Sequence, residues 1–271
     1  MKFFKSIFLY TSLLFLVACG GDNAGNNKPD PPQDPAPKLL SFSDQTIERT
    51  LGEGCAQELG SCLEINIKYP KAEGAQDELR KTMNKGLEVK ILDISNKYIA
   101  NRYIARDLKA AADSFARSFE ETITDLPDLP QRWALDIDAS ISHRSEQVIS
   151  MAITVYANTG GAHPNSELQF INFDTRNGKA VSNTDFIIDK PKLTQLAEVA
   201  FRKHWKIEAE VSYKDAGFDF PEDTFALAET MGFSKEGLVL IYNPYEIAPY
   251  VTGATELILP YNQLEGIVDR K

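Results

Sequence analysis

Leu63, Ile65, Ile67 and Tyr69 alternate with Glu64, Asn66 and Lys68, and Pro70 closes the run. A period of two puts the apolar set on one face and the polar set on the other, which predicts a half-buried strand. A less regular alternation through Phe42, Asp44, Thr46 and Glu48 reads as an earlier strand. From about Gln76 the period lengthens. Leu79, Met83, Leu87, Ile91, Ile94 and Tyr98 recur at three- and four-residue steps, the spacing of one helix face. A second helical stretch starts near Asp107 and gathers Leu108, Ala111, Ala112, Phe115, Phe119 and Ile123 on one side; it ends before Pro127 and Pro130, which cannot continue a helix.

Period two then returns. Trp133, Leu135, Ile137, Ala139 and Ile141 share one face, and after the polar connection His143 to Glu146 a second strand runs from Val148 to Tyr156, predicting a hairpin. A third strand covers Leu168 to Asp174 and stops at the Asn177-Gly178 turn. Further on, Leu193, Leu196, Ala197, Ala200, Phe201 and Trp205 form a helical side. Phe225, Leu227 and Glu229 lead into an expected strand, Leu238 to Tyr242 and Glu256 to Pro260 alternate, and Tyr261 to Val268 is expected to close the chain as a short helix. Strands grouped with strands, not a strict βαβ alternation, predict an α+β fold with antiparallel sheets packed against helices. The expected division is into two sub-domains, 39–176 and 177–271.

The first residues change the picture. Lys2 and Lys5 precede an apolar stretch, Ile7 to Ala18, that at twelve residues is shorter than the ~20 needed to span a bilayer. It has the length of a signal-peptide core. It ends in Leu16-Val17-Ala18-Cys19, which resembles the lipobox of bacterial lipoproteins. The resemblance implies that residues 1–18 are removed as a signal peptide and that Cys19 is lipidated. Several acyl chains make a stable membrane anchor. Gly20, in place of the Asp that favours inner-membrane retention, implies an outer-membrane address, with the soluble part in the periplasm or at the cell surface. Residues 19–38, rich in Gly, Asn and Pro, read as a tether between anchor and body.

In that compartment disulfides persist. With Cys19 carrying lipid, Cys55 and Cys62 remain. A disulfide is preferred over a metal pair, because the spacing fits no common zinc pattern and no His lies nearby. The chain of 271 residues carries a net charge of −10, and loss of Lys2 and Lys5 with the leader takes it to −12. So acidic a surface argues against nucleic acid as a partner and suits a cationic one.

Candidate chemistry is sparse. Neither a glycine-rich phosphate loop nor HExxH, GxSxG or SxxK occurs, and no cofactor is expected. Two loops stand out. Asn158-Thr159-Gly160-Gly161-Ala162-His163-Pro164-Asn165 combines conformational freedom at Gly160 and Gly161 with an extended bias at His163 before proline. His163 suits a general base, a metal ligand or a hydrogen-bonded structural residue, and the structural role is preferred. Asn243-Pro244-Tyr245-Glu246-Ile247-Ala248-Pro249-Tyr250 reads as a rigid loop whose tyrosines can bury their rings and still hydrogen-bond.

These two loops occur in a fixed order: a Trp133-led strand pair, Thr159 to His163, Phe173-Asp174 to Gly178-Lys179, Gly237-Leu238, then Tyr245 to Tyr250. In that order the chain resembles a family of extracytoplasmic modules found in the lysozyme-sensing anti-sigma factor RsiV and in the non-catalytic region of the peptidoglycan deacetylase PdaC. Val251 and Thr252 depart mildly from the small residues usual there, and the Cys55–Cys62 segment lies outside the resemblance. The resemblance implies a binding role at the cell envelope, with lysozyme-like cationic proteins or peptidoglycan as partners. It implies neither a sigma-binding segment nor a catalytic deacetylase domain. The expected ligand-binding residues are Gly160, Gly161, His163, Tyr245, Glu246 and Tyr250. The alternative is a peptidoglycan-directed hydrolase with His163 as base, supported by Glu246 or Asp174.

Overall fold

The computed structural model describes residues 39–57, 60–74 and 76–269. The expected leader, Cys19 and tether lie outside these residues. The chain from Pro37 onward forms one compact unit.

Strands β1 (Ser41–Leu51) and β2 (Cys62–Glu73) pair antiparallel. Between them α1 (Gly54–Gln57) carries Cys55, which is disulfide-bonded to Cys62. Helices α2 (Asp77–Asn96) and α3 (Leu108–Asp125) follow, and then β3 (Arg132–Arg144), β4 (Val148–Thr159), β5 (Asn165–Asp174) and the two-residue β6 (Ala180–Val181). The six strands stand side by side in sequence order. One pairing departs from the antiparallel expectation: β2 and β3 are parallel, with Leu63 beside Trp133 and Ile67 beside Ile137. Two helices between these strands return the chain to the end of the sheet from which it left, as a parallel pair requires.

The helices cover one face of this sheet. Leu63, Ile65 and Ile67 of β2, Leu135 and Ile137 of β3, and Met151, Ile153 and Val155 of β4 are buried beneath Met83, Leu87, Ile91 and Ile94 of α2 and Phe115 and Phe119 of α3. Trp133 lies against Phe115 and Phe119, with ring centroids 5.4 and 5.9 Å away. Asp107 starts α3 by accepting from the Ala110 N–H at 2.7 Å, which satisfies one of the free donors of the first turn.

The second half contributes α4 (Asn183–Phe186), α5 (Lys190–Trp205) and an antiparallel sheet of β7 (Thr230–Phe233), β8 (Gly237–Tyr242) and β9 (Thr255–Pro260). Leu193, Ala197 and Phe201 of α5 fill its core with Tyr213, Phe218, Phe220 and Phe225. Strand β7 lies against the face of the first sheet that the helices leave open. There the Phe233 N–H donates to Ser150 Oγ at 2.9 Å, Asn172 Nδ2 donates to the Met231 carbonyl at 3.0 Å, and Ser142 Oγ donates to the Phe233 carbonyl at 2.8 Å. The approach is close enough that a Cβ on Gly232 would stand 2.0 Å from the Phe170 ring. Strands β7 and β8 are therefore buried on both faces, whereas β9 alternates, with Glu256, Ile258 and Pro260 exposed.

The expected closing helix over 261–268 does not form. Only Tyr261–Gln263 makes a 3-10 turn. Gly266 adopts φ +71°, and Val268 is drawn into an antiparallel bridge with Ile187. Among the described residues no helix is long and apolar enough to cross a membrane.

Candidate functional site

The two loops singled out by the sequence meet. His163, between β4 and β5, stacks on Tyr250 with ring centroids 3.9 Å apart and planes 16° from parallel. Its Nδ1 lies 3.1 Å from the Pro164 carbonyl and its Nε2 lies 2.9 Å from the Tyr245 hydroxyl. A carbonyl only accepts, so Nδ1 carries the proton, and in the neutral ring Nε2 accepts from Tyr245. The Tyr250 hydroxyl donates to the same Pro164 carbonyl at 2.9 Å. Tyr245 adopts φ +72°, a left-handed conformation uncommon for an aromatic residue, and its ring is exposed. Gly160 has φ +78°, and a Cβ there would stand 2.4 Å from Gln131 Oε1; Gly161 faces open space.

The candidate carboxylates are placed differently. Asp174 lies at the far end of β5: it pairs with Val148, while Asn165 beside His163 pairs with Ala157. Its carboxylate takes a two-point ion pair from Arg176, with Nη2 at 2.7 Å, and this together with Asn177 holds its pKa below the ordinary aspartate value. Glu246 is nearer the tyrosines. Partial desolvation pushes its pKa up, and Glu229 and Glu167 add to this against the hydrogen bonds from Asn243. Among the described residues neither ring nitrogen of His163 meets a carboxylate.

Asn243 holds the tyrosine loop in place. Its Oδ1 accepts from the Leu168 N–H at 2.8 Å and its Nδ2 donates to the Leu168 carbonyl at 3.1 Å. The side-chain amide thus acts as one residue of a neighbouring strand along the edge of β5. The seam borders a cleft of about 400 Å³ lined by Lys97, Tyr98, Glu167, Tyr245, Glu246 and Tyr250. Burial works against the Glu167 carboxylate, but hydrogen bonds from Lys97 at 2.9 Å and Tyr98 at 2.8 Å outweigh it and keep the pKa low. Burial, and after it the bond to Glu167, push the Tyr98 hydroxyl up.

A larger groove, about 710 Å³, opens on the other side of Asn243. Its floor is the open face of the first sheet, with Asn66 of β2, Asp136 and Asp138 of β3, and Thr154 and Tyr156 of β4. Its wall is the second sheet and the loop before β9, with Tyr250, Gly253, Ala254 and Glu256. Asp136 accepts from Asn66 Nδ2 at 3.2 Å. Among the described residues, Asp136, Asp138 and Glu256 have no ion-pair partner, and no Lys or Arg lines the groove. His163 lines neither cleft. The sequence reading missed Asn66, Asp136, Asp138, Tyr156, Glu167, Asn243 and Glu256. Each is an ordinary polar or aromatic residue on the polar face of a strand or on a loop, and only the packing of one sheet on the other gathers them. Among the described residues no group of three or more His, Cys, Asp or Glu side chains is arranged to hold a metal ion.

Residues 57–166 match the family model described as deacetylase PdaC, and residues 184–262 match that of a protein of unknown function, DUF3298. The chain thus carries a PdaC domain followed by a DUF3298 domain. A member of the DUF3298 family from Bacteroides fragilis has a similar structure, with a TM-score of 0.62 and 20% identity over 86% of this chain and 95% of that one. A DUF3298 family protein from Pseudomonas aeruginosa has a TM-score of 0.56 and 23% identity over 88% and 96%. At such identities the likeness establishes a common fold. No curated protein matches the sequence.

Proposed function

We propose that this protein is a lipid-anchored, non-catalytic binding module of the cell envelope whose acidic groove receives a cationic protein of the lysozyme type. The carrying observation is the set Asp136, Asp138 and Glu256, which faces one groove without a cation on its walls. Unpaired carboxylates on a concave surface focus a negative potential that steers a basic partner and makes binding sensitive to salt. The PdaC domain supports association with the cell wall, and the lipobox at Cys19 supports the outer-membrane anchor. A hydrolase would need His163 beside a carboxylate in a pocket. Its nitrogens are instead taken by Tyr245 and Pro164, which supports binding over catalysis.

The test is calorimetry with lysozymes and with peptidoglycan fragments at low and moderate salt, comparing the native groove with the triple variant D136N, D138N, E256Q. Removing three solvent-facing charges at ~0.5 kcal/mol each weakens lysozyme binding by about tenfold at low salt. No lysozyme binding at low salt, or equal binding by the triple variant, would overturn the proposal. Peptidoglycan binding with lysozyme ignored would reassign the ligand.

A further inference from the structure

Strand β9 pairs with β8 along one edge, from Thr255 opposite Tyr242 to Pro260 opposite Gly237. Among the described residues its other edge has no main-chain partner. One face of β9 beside that edge is open as well: Glu256, Ile258 and Pro260 share it and are exposed, Ile258 to 37%. It also borders the acidic groove, because Gly253, Ala254 and Glu256 form the groove's wall while Asp136 and Asp138 form its floor. A sheet edge of this kind presents unpaired N–H and C=O groups to any extended chain that reaches it. Natural sheets blunt such edges with charge and proline. Here the charge is Glu256, whose sign repels acidic segments and attracts basic ones.

We infer that the ligand enters the groove as an extended, basic polypeptide segment that adds as a fourth strand to the free edge of β9. This rests on the groove being the binding site and specifies how it is used. In such an addition main-chain hydrogen bonds supply affinity and alternate side chains supply specificity. Side chains of one parity on the added strand face the floor, where Asp136 and Asp138 stand two residues apart on β3 and so point the same way. Lysine or arginine at every second position meets both. Pro260 has no N–H to offer, so the added strand is held along 255–259.

The probe is a ten-residue peptide of alternating lysine and threonine, with two companions N-methylated at alternate backbone nitrogens, one for each parity. Methylation keeps the charge and side chains and removes main-chain donors. The mature lipoprotein is used in detergent at low salt, with affinity read by fluorescence anisotropy and backbone protection by hydrogen exchange. Expected are binding that weakens in the D136N, D138N variant, slowed exchange in β9, and about tenfold weaker binding for one methylated companion, as expected for two main-chain hydrogen bonds at ~0.7 kcal/mol each. Equal binding of all three peptides, unchanged exchange at 255–259, or no binding of the unmethylated peptide would each overturn strand addition. If lysozyme binding still depends on Asp136, Asp138 and Glu256 in that case, the groove proposal stands and only the mode of entry is wrong.

Discussion

Replacing Asn243 by alanine removes both hydrogen bonds that tie the tyrosine loop to the edge of β5. The Leu168 N–H loses an acceptor at 2.8 Å and the Leu168 carbonyl loses a donor at 3.1 Å. Asn243 is only 5% exposed, so water does not readily take over. Two main-chain groups left unpaired at ~1–1.5 kcal/mol each put the loss at about 2–3 kcal/mol. Urea unfolding of a soluble form with Cys19→Ser, followed by tryptophan fluorescence, measures it. Asn243→Asp sharpens the reasoning. Its carboxylate can accept from the Leu168 N–H but faces the Leu168 carbonyl and Glu246 without a proton to give. Its folded-state pKa is therefore raised. Protonation restores a donor, so N243D gains stability relative to N243A as pH falls towards 4 and loses it as pH rises. A loss under about 0.5 kcal/mol for N243A, or no pH dependence separating the two variants, refutes the argument.

Gly232→Ala forces a Cβ to within 2.0 Å of the Phe170 ring and costs about 2–3 kcal/mol in the same unfolding assay; F170L recovers part of it if overpacking is the cause. Asp174 is held below its ordinary pKa by Arg176, so it contributes stability above the unfolded value of about 3.9 and loses it as pH falls through the folded value. The stability gap between the native chain and D174N accordingly narrows below pH ~4, and NMR titration places the Asp174 carboxyl below the usual range. Opening the Cys55–Cys62 bridge with the C55S, C62S pair lowers stability by about 2–3 kcal/mol, the value for so short a closed loop.

How much of this was legible depended on the distance over which each feature is encoded. Met83, Leu87, Ile91 and Ile94 announce α2 because a helix face repeats within a few residues, and Trp133 to Tyr156 announce the β3–β4 hairpin for the same reason. Residues 261–268 misled because their composition tolerates a helix, while the bridge from Val268 to Ile187, far back in the chain, overrides it. The parallel pairing of β2 with β3 leaves no local mark, since a parallel strand looks like any other strand until its partner is known. The His163 and tyrosine loops were visible as motifs, but their meeting spans 82 residues. The groove was invisible: Asp136 and Asp138 read as the solvent side of a strand, and Glu256 becomes their neighbour only when β7 docks on β4 and β5.

The docking of Gly232 against Phe170 limits how such proteins can be recombined. Phe170 and Asn172 lie between the stretch matched by the PdaC model and the stretch matched by the DUF3298 model. Val148, at the start of β4, packs with the second half while Ile149, its neighbour, packs with the first. A chimera joined at the start of the DUF3298 match separates Phe170 from Gly232 and brings a foreign ring to meet a backbone shaped for another. Successful grafts must carry the bare Cα at 232 and the ring at 170 as a matched pair.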